Sequence, residues 1–155
     1  MNVAVDLDGV LGDTRPLWDA WLKDAARRFG SIAQLDPEAL PRDRAVAARA
    51  LDRWAERGIG DWRASLRRFA EDHAPVYLRP RAPVSAALRR LEAAGARIGV
   101  FTDAPEELAR VALSHLGAAR RIEALADGPE RLREQLGGDE LVVVRSPDEL
   151  ARLEI

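Results

Sequence analysis

The stretch that decides the fold runs Val3-Ala4-Val5-Asp6-Leu7-Asp8-Gly9-Val10. Its first residues are apolar or small, which is typical of a strand buried on both faces of a parallel sheet, and a strand is predicted over residues 2–8. Gly9 then predicts a turn that another group approaches closely. Since Asp6 and Asp8 lie two residues apart, the sequence predicts two carboxylates on the same side at one strand end.

Two neighbouring carboxylates need a counter-charge. Their repulsion raises one pKa or recruits a cation, and Mg²⁺ is the hard, oxygen-seeking ion that suits them. One carboxylate can attack a phosphoryl group to form an aspartyl phosphate, while the other passes a proton to the leaving oxygen and takes one from water. A D-x-D pair also occurs in metal-dependent glycosyltransferases, but its place after an early buried strand favours phosphoryl transfer.

Downstream of this stretch, helical and extended patterns alternate. Apolar residues at helical spacing predict helices over residues 16–30 and 42–57, and a third helix that begins at Asp61 as its N-cap. The Trp and Phe residues of these helices are interpreted as packing core rather than as a ligand box. Further predicted elements are a helix over 84–94, a strand over 97–102, a helix over 106–116, a strand over 122–125, a helix over 129–136 and a strand over 141–144. The order favours an α/β fold with a Rossmann-like parallel sheet and a site at the carboxyl ends of its strands.

The residues from Asp6 to Thr14, Asp-Leu-Asp-Gly-Val-Leu-Gly-Asp-Thr, resemble motif I of the haloacid dehalogenase superfamily, especially its phosphoglycolate phosphatase-like and deoxynucleotidase-like branches. The resemblance implies that Asp6 is the nucleophile and Asp8 the general acid/base, and that both residues bind Mg²⁺, Asp8 through its backbone carbonyl. It also brings Gly9, in the turn, into the expected phosphate-binding set.

The segment Arg97-Ile98-Gly99-Val100-Phe101-Thr102-Asp103-Ala104-Pro105 is similar to motif II of that superfamily. The resemblance implies that the Thr102 hydroxyl grips a phosphate oxygen, with Asp103 beside it in the phosphate-binding set. An N-cap for the next helix is an alternative role of Thr102, and both roles can hold. The resemblance further implies an α/β core of residues 1–14 and 80–155, with residues 15–79 as a helical C1 cap that closes over the site.

Two later motifs of the superfamily do not match. Motif III is a lysine, but Lys23 is the only lysine of the chain and lies in the expected cap, which leaves Arg131 or Arg133 as a partial substitute. Motif IV supplies acids after a fourth strand. If residues 141–144 are that strand, Arg145 and Ser146 occupy the acid positions.

A second interpretation of motif IV is that a strand-helix unit has been deleted and residues 141–144 form the fifth strand. The expected third carboxylate is missing in both interpretations, and Asp148 and Glu149 look more like a first helical turn than metal ligands. Asp127 and Asp139 remain fallback ligands. Weak binding of Mg²⁺ is therefore expected.

Composition narrows the functional classes. The net charge of −2 argues against a general nucleic-acid binder, and the absence of cysteine excludes a thiol nucleophile and disulfides. No stretch approaches the length of a membrane span, so a cytoplasmic protein without membrane contact is expected. The leading hypothesis is a Mg²⁺-dependent phosphohydrolase acting on a small phosphorylated metabolite. The alternative is a degenerate member of the superfamily that binds a ligand or partner, and the oligomeric state stays open.

Overall fold

Four parallel strands form one sheet within residues 1–33, 35–138 and 140–154, which the computed structural model describes. The strands are β1 (Asn2–Asp6), β2 (Arg97–Phe101), β3 (Ala124–Ala126) and β4 (Leu141–Val144). They stand in the order β3-β2-β1-β4, so β1 lies in the interior of the sheet between β2 and β4. The prediction of an α/β fold with a parallel sheet is confirmed.

Helices fill the connections. They are α1 (Arg15–Ala33), α2 (Arg44–Trp54), α3 (Trp62–Tyr77), α4 (Ala82–Ala93), α5 (Glu106–His115), α6 (Pro129–Leu136) and α7 (Pro147–Arg152). The helix predicted to stop at Gly30 continues to Ala33, so that prediction is wrong. Asp61 caps α3 as predicted, because its side chain accepts a hydrogen bond from the N–H of Ala64. None of the helices in the described ranges is long and apolar enough to cross a membrane.

Strand register assigns the residues to the two faces of the sheet. Asp6 pairs with Phe101 on β2, and Val5 pairs with Val144 on β4. Paired residues of parallel strands point to the same face, and the faces alternate along each strand. Asp6, Phe101 and Ala4 therefore share one face, whose buried cluster also includes Leu132 of α6.

Helix α6 packs unusually close to that face. Gly99 of β2 lies directly beneath it, and a Cβ atom at this position would come within 2.8 Å of Leu132 Cδ2 and 3.3 Å of Leu136 Cδ1. Glycine suits this position because a Cβ atom would force Leu132 to shift. Helix α6 therefore packs closely on the same sheet face as Asp6.

The helices α1 and α3 share an aromatic core. Trp18, Trp21 and Trp62 are at most 4% exposed, and the ring centroids are 5.5 Å apart for Trp18 and Trp21 and 5.8 Å apart for Trp21 and Trp62. Each of two indole N–H groups has a partner: Trp21 donates to Ser65 Oγ at 3.2 Å, and Trp62 donates to Asp52 at 2.9 Å. Burial with satisfied donors confirms the interpretation of these aromatics as packing core.

Candidate active site

Asp6 ends β1 as a half-buried carboxylate. No side chain in the described ranges donates a hydrogen bond to it. Burial raises the pKa of Asp6, and the negative charge of Asp8 raises it further, while the Arg145 guanidinium and the backbone N–H of Asp8 oppose the shift. Asp6 is thus the open carboxylate of the predicted pair.

The turn after β1 spans Leu7–Leu11 and reverses the chain tightly. Gly9 N–H donates to the Gly12 carbonyl at 2.7 Å, and Gly12 N–H donates to the Leu7 carbonyl at 3.1 Å. Gly9 has a φ of +98°, a left-handed conformation that favours glycine. The turn exposes Gly9 next to the two carboxylates, and its predicted phosphate role stays a prediction.

The Asp8 carboxylate, in contrast, accepts hydrogen bonds on both of its oxygens. One carboxylate oxygen accepts hydrogen bonds from the N–H and the hydroxyl of Thr14, at 2.8 and 2.6 Å. The other accepts from the Thr102 hydroxyl at 2.9 Å and from Arg44 Nη2 at 2.5 Å. Burial by itself would raise the pKa of Asp8, but the charge of Arg44 and the hydrogen bonds from Thr14 and Thr102 outweigh it, and the pKa is lowered.

Arg44 of α2 is the residue that sequence reasoning missed. Its side chain is 0% exposed and bridges two acids, since Nη2 donates to Asp8 while Nε and Nη2 donate to Asp103 Oδ1 at 3.0 and 2.9 Å. Its Nη1 donates to the Thr14 hydroxyl at 2.7 Å. A signal was present: positions 44, 47, 48 and 51 have the spacing of a buried helix face, and all four residues are buried.

Asp103, which follows Thr102 after β2, is held by two arginines. Besides the side-chain bonds from Arg44, it accepts from the backbone N–H of Arg44 at 3.0 Å and from Arg15 Nη2 at 3.2 Å. Burial would raise the pKa of Asp103, but these hydrogen bonds and charges lower it. Arg15 and Arg44 come from α1 and α2, so Asp103 ties the helical segment to the end of β2.

Arg145 follows the last residue of β4, directly beside the strand that ends at Asp6. This neighbourhood supports the interpretation in which residues 141–144 are the fourth strand and Arg145 and Ser146 occupy the expected acid positions. Ser146 caps α7 by accepting from the Glu149 N–H at 3.2 Å. Asp148 and Glu149 lie in the first turn of α7, as predicted.

Of the fallback residues, Asp127 and Arg131 lie near Thr102 and Asp103, since all four line one cavity, whereas Arg133 does not line it. Asp127 follows β3 at the sheet edge, two strands from β1, and pairs with Arg131 at 3.5 Å. Arg133 pairs with Glu130 on its own helix at 3.7 Å. Asp139 lies outside the described residues. Among the residues that are described, no three His, Asp or Glu side chains are grouped as a metal site would require.

A cavity of about 340 Å³ opens next to Thr102 and Asp103. Ala45 and Ala48 of α2 line one side of it, and residues from β3 and α6 line the other. The helical segment and the sheet thus share a space at the carboxyl ends of the strands, where ligands of open α/β sheets bind.

Comparison with known proteins agrees with this geometry. The family of haloacid dehalogenase-like hydrolases matches residues 1–144, and the chain belongs to that family. Its fold is similar to that of a HAD phosphatase from Thermococcus onnurineus, with 19% identity, a TM-score of 0.57, and coverage of 93% of this chain and 76% of the other. It is also similar to a putative beta-phosphoglucomutase from Thermotoga maritima, with 20% identity, a TM-score of 0.54, and coverage of 92% and 74%. No curated protein matches the chain.

Proposed function

We propose that this protein hydrolyses small phosphomonoesters through an aspartyl phosphate on Asp6. The observation that carries the proposal is the difference between its two neighbouring acids. Asp6 has an open carboxylate at a strand end, whereas Asp8 is held by four hydrogen bonds. A nucleophile must be free to reach phosphorus, and an acid/base group must be fixed in orientation.

The proposed reaction has two steps. An Asp6 oxygen attacks phosphorus, the bond from phosphorus to the ester oxygen breaks, and Asp8 gives a proton to the departing alkoxide. Water then attacks the aspartyl phosphate, Asp8 takes a proton from that water, and the bond from phosphorus to Asp6 breaks. Asp6 and Asp8 are thereby restored, and the products are an alcohol and inorganic phosphate.

Thr102 is the proposed phosphate anchor. Its hydroxyl now donates to Asp8 at 2.9 Å and accepts from the Ala104 N–H at 3.1 Å, so it is oriented toward the carboxylate pair. Gly9 supports phosphate binding through a turn that permits close approach. A carboxylate repels phosphate, so the part we propose for Asp103 is to hold Arg44 and Arg15 beside the site.

Residues 15–79 are the proposed cap. Ala45 and Ala48 from this segment border the cavity of about 340 Å³, and Arg63 of α3 also lines it. Small side chains from α2 leave room for a leaving group, while Arg63 is already paired with Asp52 at 3.1 Å and Glu107 at 3.3 Å. The proposed substrate is accordingly a small phosphorylated metabolite with a compact leaving group.

Members of this family generally use Mg²⁺, but this site offers the ion few oxygen ligands. The Asp6 carboxylate and the Asp8 backbone carbonyl are the two oxygens that the resemblance assigns to the ion. The Asp8 carboxylate already accepts four hydrogen bonds, and a guanidinium instead of a carboxylate follows β4. Mg²⁺ keeps several of its waters but is held by carboxylate charge, and the positive charge of Arg145 acts on Asp6 where a third carboxylate is expected, so the described residues do not fit a resident ion.

Phosphate release from a panel of phosphorylated sugars, 2-hydroxy acids and nucleosides tests the proposal. Wild-type protein should release phosphate, and Asp6→Asn should abolish release because the amide cannot form the aspartyl phosphate. Asp19→Asn, at an exposed position of α1, is the matched control and should keep full activity. Equal release by the Asp6→Asn variant, or no release from any substrate with or without Mg²⁺, would refute the proposal.

A further inference from the structure

We propose that Arg145 is the phosphate-binding cation of this site and that it supports phosphate beside Asp6 without a divalent metal ion. This inference rests on the proposed function, because it assigns a role at the same site. It places a guanidinium where the family pattern leads one to expect an acid.

The register of the sheet puts three side chains in one row. Asp6 pairs with Phe101 on β2, and the β1–β4 pairing reaches Val5 and Val144, one residue short of Asp6 and Arg145. Arg145 therefore follows β4 at the level of Asp6. The row from β4 through β1 to β2 reads Arg145, Asp6, Phe101 on the face covered by α6.

The Arg145 side chain reaches across this row. Its guanidinium carbon lies 5.1 Å from the centroid of the Phe101 ring, although Phe101 is two strands away from β4. Neighbouring strands are about 4.8 Å apart, so the side chain must extend over the end of β1 to make this contact. Asp6 ends β1, and the guanidinium consequently lies near the proposed nucleophile.

Two contacts hold Arg145 in this position while leaving its charge available. The backbone N–H of Arg145 donates to Glu149 at 3.1 Å, and the Phe101 ring supports the guanidinium by a cation–π interaction. Within the described ranges, no carboxylate forms an ion pair with the Arg145 guanidinium. Its charge acts on Asp6, where it opposes the rise of the pKa.

Arg44 and Arg15, the arginines that bind Asp8 and Asp103, already use their charges on these acids. Arg44 uses its side chain on Asp8, Asp103 and Thr14, and Arg15 is paired with Asp103. Arg63 and Arg131 line the cavity beside Thr102, but they are paired with Asp52 and Glu107 and with Asp127. Among these described arginines, Arg145 is the one whose guanidinium forms no ion pair. A guanidinium binds two phosphate oxygens at once, and it lowers the repulsion between a phosphate and the Asp6 carboxylate.

The experiment measures binding of inorganic phosphate by titration calorimetry in the presence of EDTA. Wild-type protein should bind phosphate, and Arg145→Met should weaken binding by about tenfold to a hundredfold, as expected for the loss of charged hydrogen bonds. Arg145→Lys should recover part of the affinity because it restores the charge without the fork. Arg152→Met removes the same charge from an exposed position of α7 and should bind phosphate like the wild type.

Turnover of a phosphomonoester with EDTA, and again with Mg²⁺, separates this inference from the proposed function. Turnover that persists in EDTA and falls in Arg145→Met supports both. Turnover that requires Mg²⁺, or phosphate affinity unchanged in Arg145→Met, overturns the role of Arg145 while the phosphohydrolase proposal stands. Phosphate binding that depends on Arg145 without any turnover supports the binding site and refutes the proposed function.

Discussion

Replacement of Arg44 by methionine is the most informative test of how the site is held together. Methionine fills much of the space of the arginine stem but removes the charge and the hydrogen bonds to Asp8, Asp103 and Thr14. The backbone N–H of residue 44 can still donate to Asp103. The substitution therefore isolates the guanidinium.

The expected cost follows from burial. Arg44 is 0% exposed, and the Asp8 and Asp103 side chains are 19% and 24% exposed, so water replaces the lost cation poorly. Removing one partner of a buried ion pair costs about 3–5 kcal/mol, because a charge is left without compensation. We expect the free energy of unfolding at pH 7 to fall by about this amount. Arg44→Lys, which keeps the charge, should lose less.

Urea denaturation followed by tryptophan fluorescence measures the change, since the buried Trp18, Trp21 and Trp62 report on α1 and α3, the helices before and after α2. Arg49→Met changes an exposed arginine of the same helix and should stay within about 0.5 kcal/mol of the wild type. A loss below about 1 kcal/mol in Arg44→Met, the range of an exposed ion pair, would refute the account of a buried bridge.

The same variant makes a prediction about pH. The pKa values of Asp8 and Asp103 are lowered in the fold, so their stabilising contribution is present above the unfolded pKa of about 3.9 and is lost as the pH falls through the folded values. Arg44→Met lacks most of this contribution. The difference in stability between the two proteins should therefore shrink as the pH drops below about 4, and a constant difference would contradict the ion-pair explanation.

Three further predictions concern packing, capping and the acid. Gly99→Ala should lower the free energy of unfolding by about 1–3 kcal/mol because its methyl group collides with Leu132. Asp61→Ala should cost about 1 kcal/mol in the same measurement through loss of the α3 cap. The rate of phosphate release from an alkyl phosphate should increase toward acidic pH more than the rate from p-nitrophenyl phosphate. The alkoxide leaving group needs a proton from Asp8, and the lowered pKa of Asp8 means that little of it is protonated near neutral pH. Parallel pH profiles for the two substrates would contradict the acid role.

The sheet and most helices could be predicted because local chemistry agrees with the fold there. Helix α6 and strand β4 begin and end at the predicted residues, since Pro129 opens the helix and Gly137, with a φ of +71°, follows it. The end of α1 could not be predicted from Gly30, because glycine inside a helix costs only about 1 kcal/mol and other interactions can offset it. A weak local signal therefore misplaced that boundary.

The site was only half predictable for a different reason. Asp6, Asp8 and Thr102 lie at strand ends, and parallel topology alone brings strand ends together. The contribution of Arg44 depends on how the helical segment folds back on the sheet, across 36 residues of chain from Asp8. Arginine side chains are usually exposed, so the residue type alone predicts an exposed position for Arg44 instead of its buried one. The sequence places Arg145 directly after a strand, but only the strand order, with β4 beside β1, brings it next to Asp6.

Burial and nearby charges shift the pKa values of Asp6 and Asp8 in opposite directions, and this difference affects the proposed reaction. The reaction needs Asp6 ionised and Asp8 protonated, yet the pKa of Asp6 is raised and that of Asp8 is lowered. A phosphate that enters the site brings negative charge, which raises the pKa of a nearby carboxylate. At Asp8 this favours the acid that the leaving group requires. At Asp6 it would protonate the nucleophile, unless a cation beside Asp6 offsets it, and Arg145 is the cation whose charge already opposes that rise.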